Sequence, residues 1–315
     1  MNQRNVASAL GKCSRAAVLA CAWACAAFAS TGWAAAPGPA AAPAPLSAPA
    51  DKNPAPRAAA SRELVTVSDG RQLAPEIARI FNRGELVVAM LGVDTPPFFY
   101  KKNNQLVGLE VDLAKAIARE LKVSVRFDRS AKTFNEVVDM VARQEADLGI
   151  SKLSRTLARA QKISFTDPYL RLNHAFILNR VKFAEYAKGR PVTSAIRDYK
   201  GTLGVIANSS FADYAVRYFP QAKVHAYASW GELLRAVEKG EVLAAYRDEF
   251  EVKSVLKTDP KASLTLRTVT FKDLEDTLGI AVGIQDPVLL AFVDQYLAQS
   301  AEKLTIDSVL QAVEQ

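Results

Sequence analysis

Cysteine is confined to three positions, Cys13, Cys21 and Cys25, all near the amino terminus. The rest of the chain therefore offers no disulfide, thiolate nucleophile or cysteine metal site. Histidine is almost as scarce. His174 and His225 are the only two and lie far apart in sequence, and each reads as a structural or surface residue. A serine triad or a histidine–carboxylate metal centre has little to draw on, so neither cofactor nor metal is expected. Basic clusters are missing as well. The 40 Lys and Arg against 33 Asp and Glu give a formal charge of +7, and three of those charges, Arg4, Lys12 and Arg15, sit in an amino-terminal leader whose removal leaves +4. That excess is scattered, whereas a nucleic-acid surface concentrates it, so no nucleic-acid partner is expected. The apolar run Ala16 to Ala29 has 14 residues, short of the 18 or so that read as a membrane-spanning helix.

What is present divides the 315 residues into three parts. Residues 1–36 have the plan of a secretory signal: basic residues, the apolar run, then small residues with cleavage points near Ala34 to Ala36. A cleaved signal predicts a periplasmic protein. Residues 37–60 follow as a disordered Pro/Ala-rich tether. Seven of the fifteen prolines fall between Ala35 and Ala60, with alanine making up most of the remainder. Nothing large is there to bury, and proline lacks a donor, so no packed core is expected. At about 3.1 Å per residue this tether reaches on the order of 80 Å. Folded sequence is expected from Ser61.

The folded part alternates strand and helix patterns. Apolar spacing predicts a helix over Leu73 to Asn82, stopped by Gly84, then a buried strand ELVVAML and a proline-stiffened turn that aims Phe98, Phe99 and Tyr100. Leu109, Leu113, Ile117 and Leu121, four apart, predict an amphipathic helix. The strand VSVRF, a helix over Thr133 to Arg143 and the strand DLGIS complete a parallel α/β unit. A second such unit follows. It comprises AFILN, a polar stretch, TLGVI, a helix opened by NSSFADYAVRYF, KVHAY, a helix over Trp230 to Lys239, EVLAAY, the helix RDEFEVKSVLK and a strand LGIAVGI. The segment Pro287 to Gln299 and a short terminal helix close the chain. In parallel sheets ligands lie beyond the carboxyl ends of strands. Ser151 is such a tip in the first unit, and Asn208 to Ser210 and Asp248 are such tips in the second.

One stretch carries most of the functional signal: D-LGISKLSRTLA-R, ending at Arg159, six residues ahead of FTDPY. A guanidinium is planar and permanently charged and meets both oxygens of a carboxylate. Ser151 and Ser154 add hydroxyls on the same side. No nucleophile with an adjacent base is apparent, so binding rather than turnover is expected and the chain is not expected to be an enzyme.

From about Glu85 to Gln315 the sequence resembles the family 3 extracellular solute-binding proteins, the polar amino-acid receptors of ABC importers. The stretches that carry the resemblance are ELVVAMLGVDTPPFFY, GLEVDLAKAIARELKV, DLGISKLSRTLARAQKISFTDPYL, YKGTLGVIANSS and YRDEF. It implies an α/β, two-lobed, type II periplasmic-binding-protein-like fold with two crossover strands. Lobe 1 would be 61–176 plus 277–315 and lobe 2 would be 177–276. It also implies that Arg159 clasps a ligand α-carboxylate with Ser154, Ser210 and Ser209, and that Asp248 holds the α-ammonium aided by Ser151. Phe134 and Phe98 would pack on the ligand side chain. An amino acid or similar small zwitterion would be delivered to an inner-membrane ABC permease by a monomer, or sensed on behalf of a membrane signalling partner. A cyclohexadienyl (prephenate or arogenate) dehydratase-like activity is a further alternative. Several positions depart from the family pattern. Asn208 replaces a common glycine, and Leu243 stands where aspartate is frequent. Phe211 follows the hydroxyl pair, where it would narrow the pocket, and Lys152 replaces a small residue, either favouring an acidic ligand or pointing to solvent.

Overall fold

The computed structural model describes residues 63–300 and 303–313. The predicted signal (1–36) and tether (37–60) lie outside the described residues. The described chain opens with a two-stranded ribbon of β1 (Val65–Thr66) and β2 (Gln72–Leu73). Helix α1 (Pro75–Arg83) begins with proline, where no backbone donor is needed, and ends at Gly84 with φ 77°.

A five-stranded sheet follows, in the order β6-β3-β7-β14-β8. Its centre is β3 (Glu85–Leu91), in which every residue after the first is buried, as befits a strand covered on both faces. A hairpin of β4 (Tyr100–Lys102) and β5 (Gln105–Val107) turns through Asn103 and Asn104, both at positive φ. Helix α2 (Leu109–Glu120) leads to β6 (Ser124–Ala131), and α3 (Phe134–Ala142) leads to β7 (Leu148–Gly149). Both strands run parallel to β3. The single turn α4 (Leu157–Ala160) precedes β8 (Ser164–Phe165).

The second five-stranded sheet has the order β11-β10-β12-β9-β13. It is made of β9 (Leu170–Asn179), β10 (Thr202–Ile206), β11 (Lys223–Tyr227), β12 (Ala244–Asp248) and β13 (Leu266–Leu278). Between them lie α5 (Arg180–Ala187), α6 (Val192–Arg197), α7 (Ser210–Tyr218), α8 (Trp230–Glu238) and α9 (Glu249–Thr258). After β13 the chain returns to the first sheet as β14 (Ala281–Val282), antiparallel to β7 and β8, and ends in α10 (Pro287–Gln299) and α11 (Ile306–Ala312). Strands β9 and β13 are the two connections between the sheets. They pair antiparallel from Leu170↔Leu278 to Asn179↔Leu266, with a bulge between Phe271 and Glu275.

Side-chain alternation separates the cores. Phe176, Leu178, Ala244 and Tyr246 face one core of the second sheet, while Ala175, Ile177 and Ala245 face the other. Phe250 of α9 instead joins the core of the first sheet, its ring meeting Phe98 edge-on at 5.2 Å and 87°. His174 is buried among Phe211, Tyr214 and Tyr246, and burial pushes its pKa down to about 4, so it is neutral. His225 is exposed.

Three departures from the sequence expectations have physical causes. The polar stretch after β9 forms α5 and α6. The strand β13 carries Arg267, Lys272, Asp273 and Glu275 and is only partly buried, so its charges mask its periodicity. The expected strand LGIAVGI divides, because Leu278 closes β13 and only Ala281 and Val282 pair in the first sheet.

Candidate functional site

Arg159 sits on α4, which Thr156 caps by accepting the Arg159 backbone N–H on Oγ1 (3.2 Å). The residue is 5 % exposed. Its Nε donates to Asn135 Oδ1 (3.2 Å) and its Nη1 to the Ser154 carbonyl (3.0 Å). Among the described residues no carboxylate lies within ion-pair distance of it. Burial pushes its pKa down, and nearby Asp276 works in the opposite direction. The guanidinium stays charged, so this is a desolvated cation without a counter-ion, an arrangement that favours capture of an anion.

Ser154, in the loop after β7, and Ser210, the first residue of α7, meet hydroxyl to hydroxyl at 2.8 Å. Ser154 also donates to Asp276 Oδ2 (3.0 Å), so Ser210 is the donor in the serine pair. Ser209 is the N-cap of α7, and its hydroxyl donates to the Ile206 carbonyl (2.7 Å). The turn before it passes through Asn208 at φ 55°, a left-handed conformation that asparagine tolerates. Asp276, on β13 just past the bulge, is fully enclosed. Burial first, then repulsion from Asp248, raises its pKa to about 7. Its Oδ1 has no hydrogen-bond partner.

Asp248 ends β12 and caps α9, its Oδ1 accepting the Glu251 N–H (3.2 Å). Its other oxygen receives the ammonium of Lys152 at 2.9 Å, and the same ammonium lies 2.6 Å from Glu251 Oε1. Burial opposes ionisation of Asp248, but the charges of Lys152 and Arg247 outweigh it and hold the pKa below its ordinary value. Arg247 donates to Glu251 (3.1 Å), and its Nε is buried without a partner. The Lys152 side chain is only 2 % exposed, which corrects the expectation that it points to solvent. Its backbone is left-handed (φ 49°), and its N–H donates to both oxygens of Glu110 (2.8 and 3.0 Å). Burial raises the Glu110 pKa to about 7 against the pull of the Tyr169 hydroxyl and the Lys152 amide.

Six residues singled out from the sequence, Phe134, Ser154, Arg159, Ser209, Ser210 and Asp248, line one cavity of about 10 Å³, room for a single water at most. Ser151 is not among them. Its hydroxyl accepts the Leu91 N–H (2.9 Å) and ties the strand tip to β3. Phe98 is also outside it, fully buried between Phe250 and the Lys152 ammonium. Lys152, Phe211, Arg247 and Asp276 complete the lining. A second cavity of about 700 Å³ adjoins it, sharing Phe134 and Arg247 and walled by Pro97, Tyr100, Trp230 and Phe250. Sequence reasoning did not single out Asn135, Asp276, Arg247 or Glu251. Arg247 precedes Asp248 in the quoted YRDEF stretch, and Glu251 follows that stretch directly; this proximity was the one signal available for them.

The chain is similar to ABC transporter arginine-binding protein 1 of Escherichia coli (strain K12), 27% identical over 206 residues, covering 64% of this chain and 80% of that protein. It is similar to the arginine-binding periplasmic protein of Mannheimia haemolytica, 24% identical over 205 residues, with 64% and 79% covered. Among solved structures it is similar to the ancestral amino acid-binding protein AncCDT-1, a precursor of cyclohexadienyl dehydratase. The identity there is 25% and the TM-score 0.60, with 75% of this chain and 97% of that chain covered. The fold is the two-lobed α/β fold of type II periplasmic binding proteins. The sequence pattern of the bacterial extracellular solute-binding proteins, family 3, matches residues 86–312, and the chain belongs to that family.

Proposed function

We propose that the chain is a solute-binding receptor of the bacterial periplasm that captures an amino acid or a similar small carboxylate-bearing metabolite and hands it to an ABC importer. In this reading the lobes are 61–176 with 277–315, and 177–276, and they close on the ligand about β9 and β13. The observation that carries it is the buried, counter-ion-free guanidinium of Arg159, flanked by Ser154 from the first sheet and Ser210 from the second. A carboxylate touching all three favours the closed arrangement, because only there are both sheets within reach. The start of α7 adds backbone donors that suit an anion. The arginine-binding relatives support the same class of solute. The expected leader fits a periplasmic receptor, and no helix among the described residues is long and apolar enough to cross a membrane.

Thermal-shift screening of the mature protein against amino acids and related acids, followed by calorimetry on Arg159→Ala, tests the binding. Uptake measured after deletion of the gene tests delivery. Lost uptake of the bound solute supports the importer role, and unchanged uptake favours a sensing partner instead.

Asp276 favours one second reading. A buried carboxyl with a pKa near 7 beside an arginine is a candidate general acid, and AncCDT-1 carries the description of a dehydratase precursor. Incubation with prephenate or arogenate and mass spectrometry of the products tests it. Turnover abolished in Asp276→Asn would establish a catalytic role.

A further inference from the structure

The charges of the small cavity do not suit a zwitterion. Asp248, the residue expected to receive a ligand ammonium, already holds one from its own chain, with Lys152 Nζ 2.9 Å from its Oδ2. The same ammonium reaches Glu251 at 2.6 Å, and Arg247 stands 3.8 Å from Asp248 and 3.1 Å from Glu251. Two anions are thus matched by two cations. A ligand ammonium placed there would meet Lys152 and Arg247 at close range. At the other end the guanidinium of Arg159 has no carboxylate partner. Burial favours the protonated form of Asp276, which leaves the charge of Arg159 unmet and calls for an anion.

Lys152 is also held in place. Its left-handed backbone is fixed by the paired hydrogen bonds to Glu110. Its ammonium lies 5.0 Å from the ring centres of both Phe98 and Phe250, at cation–π distance. Swinging it away would strip a buried ammonium of two carboxylates and two rings and leave those carboxylates with Arg247 alone.

We propose that Lys152 is a built-in substitute for the ligand α-ammonium, so that the site selects small carboxylic acids lacking an α-amine over the corresponding amino acids. This rests on the receptor reading above and specifies its ligand class. The carboxylate meets Arg159, Ser154 and Ser210. The rest of the molecule extends past Phe134 and Arg247 into the adjoining cavity of about 700 Å³.

The test is calorimetry on the mature protein with pairs that differ only in the amine: L-arginine and 5-guanidinopentanoate, L-phenylalanine and 3-phenylpropanoate, L-glutamate and glutarate. The proposal expects at least one deaminated acid to bind tenfold or more tighter than its amino partner. It also expects Lys152→Ser to reduce that ratio at least tenfold. An amino acid bound by the wild type as tightly as its deaminated partner, or more tightly, overturns the proposal. Arg159→Ala separates the two levels. If that amino-acid binding disappears in Arg159→Ala, the receptor reading stands and only this inference falls. If binding of both classes survives in Arg159→Ala, the receptor reading fails and this inference falls with it. The wild-type comparison needs no variant, and Lys152→Met, which keeps most of the side-chain volume, replaces Lys152→Ser should the latter not fold.

Discussion

The ammonium of Lys152, in the loop that follows β7 of the first sheet, lies 2.9 Å from Oδ2 of Asp248, the last residue of β12 in the second sheet. Both side chains are almost completely enclosed. The contact is therefore a buried ion pair that joins the two halves of the molecule across the cleft. It also occupies the acid that a ligand ammonium would otherwise use.

Removing the cation tests the strength of that link. Lys152→Met leaves the buried Asp248 and the partly buried Glu251 with Arg247 as their only nearby cation. Breaking a buried pair from one side costs about 3–5 kcal/mol, and the remaining arginine points to the lower end of that range. Urea denaturation of the unliganded protein should show a loss of about 3 kcal/mol. A loss below roughly 0.5 kcal/mol would mean that the pair contributes little.

Stability should fall as pH rises through neutrality. Asp276 and Glu110 have their pKa values raised by burial to about 7, from 3.8 and 4.5. Between those limits the folded chain holds protons that the unfolded chain has released. The stabilisation is complete below the unfolded values and is lost as pH rises through about 7. Asp248 shifts in the opposite direction and acts only at lower pH. The melting temperature of the unliganded protein should drop between about pH 5 and pH 8, and the drop should be smaller in Asp276→Asn. Equal slopes for the two proteins would show that Asp276 does not carry this proton.

The serine pair makes a smaller demand. Ser210→Ala removes the hydroxyl that donates to Ser154 at 2.8 Å and would also remove a donor to a bound carboxylate. A neutral hydrogen bond contributes about 0.5–1.5 kcal/mol, so calorimetry should show affinity weakened by roughly twofold to tenfold. A loss above a hundredfold would give Ser210 a larger role than hydrogen bonding supplies.

How much of this was legible in the sequence differs residue by residue. Strand β10 and helix α2 were readable because their apolar residues match their burial. Arg159, Ser154, Ser210 and Asp248 stood out as polar residues at strand tips and helix starts, and they share one cavity. Asp276 was not legible. The bulge between Phe271 and Glu275 resets the alternation of β13, so Asp273 is exposed while Asp276 is buried, and no local pattern marks the change. The course of Lys152 was hidden for another reason. It depends on a left-handed backbone at its own position and on Asp248 and Glu251, about a hundred residues away. Period and propensity carry no information about such a long-range partnership.

The most direct measurement is the affinity of Arg159→Ala for a carboxylate that the wild type binds, determined by isothermal titration calorimetry at neutral pH. A buried carboxylate deprived of its cation loses about 3–5 kcal/mol, so affinity should fall by roughly a hundredfold to several-thousandfold. Near-native affinity in the variant would contradict the assignment of this cleft as a carboxylate receptor.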